Sequence, residues 1–222
     1  MQAHSKVIRS LSIEGLAGRL EALLNTGTPE ATHAALVCHP HPLYGGTLHN
    51  KVVFHTMKAL NRLGFPVLRF NFRGAGLSQG EHAHGAGEED DVRAAMDWLD
   101  REFRHPLIFA GFSFGAAVGL RVACPDSRAE AAIGLGLPVA PIDERNYDYS
   151  FLKSCSKPKL FVSGDRDQFA SPAQLERLVD SLPGAKKLVL VAGADHFFEG
   201  RLHELRGVIE QWVRETVGPP NH

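Results

Sequence analysis

Short uninterrupted apolar runs alternate along this chain with longer stretches whose apolar residues recur every three or four positions. That alternation predicts a parallel sheet wrapped by helices. KVIRSLSI (6–13) and LAGRLEALL (16–24), divided by Glu14-Gly15, predict an N-terminal hairpin, and AALVCH (34–39) predicts a strand buried on both faces. From Asn50 to Leu63 the apolar positions Val52, Val53, Met57, Leu60 and Leu63 fall at helical spacing until Gly64 and Pro66 stop them. PVLRFNF (66–72) is the next predicted strand; EEDDV opens a helix running to about Phe103, and LIFAG (107–111) precedes a helix near 114–124. AAIGLGL (131–137), KLFVSG (159–164) and KKLVLVAG (186–193) complete the strands, with a helix from SPAQLERLVDSL before the last one and a final helix from about Glu199 to Val217. Ser171 as N-cap, Pro172 at the first helical position and Gln174 three residues on form a capping box. Residues 138–158 leave room for a loop and a short helix but not for a large lid domain. No internal repeat or low-complexity segment is visible, so one domain spanning 1–222 is expected.

Two segments carry a serine between spaced glycines, GLSQG at 76–80 and GFSFG at 111–115. A nucleophilic serine at a sharp strand-to-helix turn needs a buried strand before it and a helix after it, so that the turn lifts the hydroxyl above the sheet and aims the helix N-terminus at the reacting centre. Ser113 has that context: LIFA leads in, FGAAVGLRV leads out, and Gly111, Gly115 and Ala116 keep bulk away. Ser78 lies past the end of its strand and is followed by the glycine-rich, polar QGEHAHGAGEED, so it reads as a loop serine; Arg73 and Ser78 are expected to tie loops together.

A serine hydroxyl needs an imidazole base, and the imidazole needs an acid to fix its tautomer and stabilise its cation. Asp165 and Asp167 both lie in the loop leaving the strand KLFVSG, at the carboxyl edge of the sheet where functional side chains collect. The residue directly after a strand usually serves the turn, whereas one two positions further can reach a neighbouring loop, so Asp167 is taken as the acid. His196, in the loop after the last strand, is taken as the base; His203 falls in the polar pattern of the final helix and His222 is terminal. Asp195, adjacent to His196, reads as a loop or cap residue.

HPHPLYGGTLHNKVV, RFNFRGAGLSQG, GFSFGAAVG, SGDRDQF and ADHFF together cover most of the chain, and with them it resembles the lidless α/β-hydrolases, specifically small bacterial hydrolases related to dienelactone hydrolases and carboxylesterases. The resemblance implies an α/β-hydrolase fold: a mostly parallel, twisted sheet of about eight strands flanked by helices, with the triad in the chain order serine, acid, histidine. In dienelactone hydrolases the nucleophile is a cysteine, and this chain has Ser113 there, so dienelactone is not implied as substrate. The expected activity is a carboxylesterase acting on small or short-chain esters, the alternatives being a thioesterase or peptidase on the same triad, or a non-catalytic binding protein on a hydrolase fold.

Negative charge developing on the substrate carbonyl needs prepositioned N–H donors, each worth roughly 3 kcal/mol. One is expected from Phe114, directly after the nucleophile. The other is expected from the HPHPLYGG loop, where Pro40 and Pro42 have no N–H and leave His41, Leu43 and Tyr44; His41 is favoured. The competing reading is a packing loop whose histidines bond locally. Tyr44, Phe112 and Phe197 are candidate substrate-binding residues, and Phe114 and Phe198 flank them, although core packing accounts for these phenylalanines nearly as well.

Composition narrows this picture without changing it. Hydrophobic residues make up 44% of the chain and charged residues 22%, an ordinary globular balance. The formal net charge of -1, with scattered Lys and Arg, excludes a nucleic-acid footprint. No signal-peptide pattern and no membrane-length apolar run is visible, so no membrane partner and a cytoplasmic location are expected. The cysteines Cys38, Cys124 and Cys155 are odd in number and far apart, so no disulfide framework is expected and all three read as buried or idle thiols. Neither the glycines of NFRGAGLSQG nor HPHP at 39–42 matches a phosphate cradle or a metal-ligand spacing; no metal and no cofactor are expected. The expected partner is a small-molecule ester, and the sequence carries no residue-level argument for an oligomeric state.

Overall fold

The computed structural model describes residues 7–140 and 147–218. Eight strands, β1 (Ile8–Gly15), β2 (Gly18–Asn25), β3 (Ala34–Cys38), β4 (Val67–Phe70), β5 (Leu107–Phe112), β6 (Ala129–Leu135), β7 (Lys159–Gly164) and β8 (Lys186–Val191), form one sheet in the order β1-β2-β4-β3-β5-β6-β7-β8. β1 and β2 form the expected antiparallel hairpin and β2 pairs antiparallel with β4; every other pairing is parallel.

Five helices, α1 (Lys51–Arg62), α2 (Ala86–Phe103), α3 (Phe114–Ala123), α4 (Pro172–Asp180) and α5 (Leu202–Val217), cover both faces of the sheet. Strand side chains alternate between these faces, as a pleat requires. Leu36, Leu68 and Phe109 pack with Leu99 of α2, Leu120 of α3 and Leu175 of α4. Val37, Ile108 and Leu160 pack on the opposite face with Leu60 of α1 and Ile209 of α5. Because both faces are buried, the central parallel strands read as continuous apolar runs. The fold is an α/β-hydrolase fold, and among its described residues the β6–β7 connection holds a short 3-10 turn at Ser150–Ser154.

The capping box of α4 forms as expected: Ser171 Oγ accepts from Gln174 N, and Gln174 Oε1 accepts from Ser171 N at 3.0 Å. The expectation of idle thiols is corrected for two of the three cysteines. Cys124, just past α3, is disulfide-bonded to Cys155, just past the 3-10 turn, across a Cα–Cα distance of 5.3 Å. No motif marks this pair, because the two halves meet only where the end of α3 lies against the β6–β7 connection. Cys38 is a buried free thiol, and burial pushes its pKa well up.

Candidate active site

β5 ends at Phe112 and α3 begins at Phe114, so Ser113 occupies the whole turn between them. Its backbone sits at φ 54° and ψ −118°, a conformation that L-residues rarely adopt, and its N–H donates to Leu135 O on β6 at 2.8 Å. The flanking glycines have a steric cause. A Cβ on Gly111 would fall 2.5 Å from Gly115 O, and one on Gly115 would fall 2.7 Å from Cys38 O at the end of β3. Helix α3 therefore crosses the strand ends at a separation that only glycine permits. Ser78 has the structural role read for it: its Oγ donates to Asn71 O at 2.6 Å and accepts from Glu21 N at 2.9 Å. Arg73 ties its loop to α2 through a bidentate, buried pair with Asp91, Nη2 lying 2.7 Å from Oδ1.

The loops after β7 and β8 bring Asp167 and His196 together. Asp167 Oδ2 lies 2.8 Å from His196 Nδ1, and both side chains are buried. The carboxylate is itself held, with Ser163 Oγ donating to Oδ2 at 3.0 Å and Phe169 N donating to Oδ1 at 2.8 Å. Accepting from Nδ1–H leaves the lone pair of the neutral imidazole on Nε2. The ring is wedged between Phe169, Phe112 and Phe197 at centroid distances of 4.6, 4.9 and 5.2 Å. Asp165 serves the turn, accepting from Gly193 N at 2.7 Å, and Asp195 caps its own loop by accepting from the amides of Phe197 and Glu199. His203 lies on α5 against His55, and His222 is outside the described residues.

The HPHP loop divides its labour. His39 is fully buried; its Nε2 accepts from Phe72 N at 2.9 Å and its Nδ1–H donates to Pro40 O at 2.6 Å, bracing β3 against the chain leaving β4. Burial pushes its pKa down to about 4, with the charge of His41 acting in the same direction and the Pro40 carbonyl opposing. His41 caps the 3-10 turn Pro42–Tyr44. Of the three candidate donor amides, Leu43 N bonds to the His41 ring at 3.3 Å and Tyr44 N to the His41 carbonyl at 3.1 Å, so both are engaged inside the turn. The local histidine bonding of the competing reading is therefore present in this loop.

Ser113 and His196 open onto one cavity of about 450 Å³, whose other walls include His41, Tyr44, Phe114, Phe169 and Phe197. Tyr44 and Phe197, two of the three candidate substrate-binding residues, line this cavity. Phe112 does not: it is fully buried and points into the α1/α5 face, where it supports the His196 ring from behind. As the last residue of β5 its side chain follows the strand alternation, which the sequence motif alone concealed. Phe198 is likewise core. Phe169 and Tyr147, which line the cavity, were missed. Phe169 lies two residues after Asp167, and its amide bond to that carboxylate is the feature that sets its position. Among the described residues no group of three or more His, Cys, Asp or Glu side chains could hold a metal ion, and no helix is long and apolar enough to cross a membrane.

The family described as "alpha/beta hydrolase domain" matches residues 44–212. An uncharacterized protein of Rickettsia prowazekii is 35% identical, covering 90% of this chain and 86% of its own. Among solved structures, an alpha/beta serine hydrolase without lid from Xanthomonas campestris is 34% identical, with a TM-score of 0.85 and 94% of each chain covered. An alpha-beta serine hydrolase homologue from Coxiella burnetii is 35% identical, with a TM-score of 0.85, covering 92% of this chain and 97% of its own.

Proposed function

Since the chain belongs to the alpha/beta hydrolase domain family, we propose that this hydrolase is a serine carboxylesterase that cleaves small or short-chain carboxylic esters through an acyl-enzyme on Ser113. The observation that carries the reading is the buried Asp167–His196 pair at 2.8 Å, whose His196 lines the same cavity as Ser113, a serine at positive φ between strand and helix.

In the first half-reaction His196 Nε2 takes the proton of Ser113 as Oγ bonds to the ester carbonyl carbon. The carbonyl oxygen becomes an oxyanion, held by the amide of Phe114 at the N-terminus of α3 and by the amide of His41. The tetrahedral adduct collapses, the carbon–alkoxide bond breaks, and His196 passes its proton to the departing alcohol. Water then repeats the sequence in place of the serine, with His196 as base, and releases the carboxylic acid and free Ser113. Asp167 stays ionised throughout, holding the ring in the productive tautomer and stabilising its cation. These steps use groups of this chain and water alone, within a single domain acting on a small-molecule partner.

Hydrolysis of p-nitrophenyl butyrate tests the reading. The wild-type protein turns it over, and Ser113→Ala lowers kcat by more than about 10⁴-fold while leaving the melting temperature within a few degrees. Equal turnover by Ser113→Ala, or none by the folded wild type, contradicts it.

A further inference from the structure

A second cavity of about 310 Å³ adjoins the first and shares three wall residues with it, His41, Phe114 and Tyr147. Two of these, His41 and Phe114, are the residues whose amides are assigned to the oxyanion. A carbonyl held there therefore has the His196 side of the site on one flank and the second cavity on the other. The leaving alcohol must stay beside His196, which protonates it, so the acyl chain is the half that can extend over the His41 and Phe114 rings, which touch each other, toward the second cavity.

The rest of the lining is mixed, with the apolar Ala117 and Val118 beside a polar set. That set comprises His82, His84, Glu89 and Arg121, with Gly85 and Ala86 beside it at the N-terminus of the 18-residue α2. Among the described residues the carboxylates on or behind it are paired, and the Arg121 guanidinium is hydrogen-bonded. Glu89 Oε2 is 2.9 Å from Arg93 Nη2. Glu88 accepts from Ala83 N and Gly85 N and lies 2.7 Å from His82 Nδ1. Arg121 Nη2 donates to Asp148 O at 2.6 Å, and its guanidinium sits over the Phe151 ring at 4.9 Å. An anionic group would meet Glu89 and a cationic one Arg121 on the same wall, and a purely aliphatic ligand would desolvate imidazoles and a guanidinium without replacing their bonds with water. A hydroxyl can donate to and accept from such groups while its hydrocarbon stem lies along the aromatic wall.

We infer that this cavity is an acyl subsite for esters whose acyl chain carries a distal, uncharged hydroxyl group. The inference rests on the Ser113 hydrolase reading and deepens it by naming the acyl class.

The test compares kcat/KM for methyl 6-hydroxyhexanoate and methyl hexanoate, which present the same ester on chains of equal carbon number. The wild type prefers the hydroxylated ester by about tenfold, the worth of roughly one well-made hydrogen bond. The preference falls toward unity in His82→Phe and in Arg121→Met, each checked for an intact nucleophile by fluorophosphonate labelling; having two variants guards against one failing to fold. A wild-type ratio near one, or a preference that survives both substitutions, overturns the subsite. No turnover of either ester by a protein whose Ser113 still labels also overturns it and leaves the hydrolase reading standing. Absence of both label and turnover overturns the two together.

Discussion

Ser113 is held at φ 54° with a side chain that does not favour that angle. Such a conformation costs about 1–3 kcal/mol, and the strand and helix on either side enforce it. Glycine would relieve the strain at an unfolded-state entropy cost of about 0.5–1 kcal/mol. Ser113→Gly is therefore expected to raise stability by about 1 kcal/mol, or roughly 2–4 °C in the melting temperature, while abolishing hydrolysis. A destabilised variant would show that the turn is not strained. His39 makes a different prediction. Its imidazole titrates near 6.5 when unfolded but only near 4 when folded, because burial disfavours its cation. Between those values the unfolded chain binds the extra proton, so this contribution to stability is complete above pH 6.5 and is lost as pH falls toward 4, by about 3 kcal/mol. Urea unfolding across that range is expected to show the loss in the wild type and a correspondingly shallower fall in His39→Gln; equal slopes would contradict it. At this scale the triad candidates could be read from sequence because Ser113 directly follows a strand and Asp167 and His196 lie in the loops that leave two others. The role of His39 could not, since its partner amide at Phe72 is 33 residues away and no local pattern points to it.

Whole elements were legible because apolar period and burial coincide: the two-sided burial of β3, β5 and β7 leaves the uninterrupted runs that mark a parallel sheet. Their ends were less so, and each discrepancy has a local cause. PVLRFNF reads as a strand to residue 72, but β4 stops at Phe70: Asn71 N still reaches Glu21 O on β2, whereas Phe72 N bonds the His39 ring instead of a strand carbonyl. The run 131–137 is cut at Leu135 by Gly136 at φ 51°. The last helix begins at Leu202 rather than near Glu199, because Phe198 and Gly200 take positive φ in the turn before it. The crossing of α3 over β3 can be tested directly. Gly115→Ala would drive a methyl group into the backbone carbonyl of Cys38, where no side chain can swing aside. The variant is expected to lose about 2 kcal/mol of stability and to label more slowly at Ser113, as the N-terminus of α3 is pushed out of line. Wild-type melting together with wild-type labelling would remove the steric account of that glycine.

The whole molecule adds two features that no segment announces: the paired cavities and the Cys124–Cys155 cross-link. Both arise where chain regions distant in sequence meet: the first cavity between the β3–α1 loop, the start of α3 and the loops after β7 and β8, the second between the β3–α1 loop, α3 and the N-terminus of α2, and the disulfide between α3 and the β6–β7 connection. The bond closes a loop across a sequence separation of 31, which on a chain-entropy basis is worth about 3–4 kcal/mol. Melting with and without a reductant is expected to differ by about 10 °C. A melting temperature indifferent to reductant would show that the cross-link contributes nothing to the folded chain.

The central claim is that Ser113 is an activated nucleophile, and labelling with a fluorophosphonate followed by peptide mass mapping tests it most directly. The account predicts a single tag on the peptide containing Ser113, abolished by Ser113→Ala. A tag on Ser78, or none on the folded protein, would contradict it.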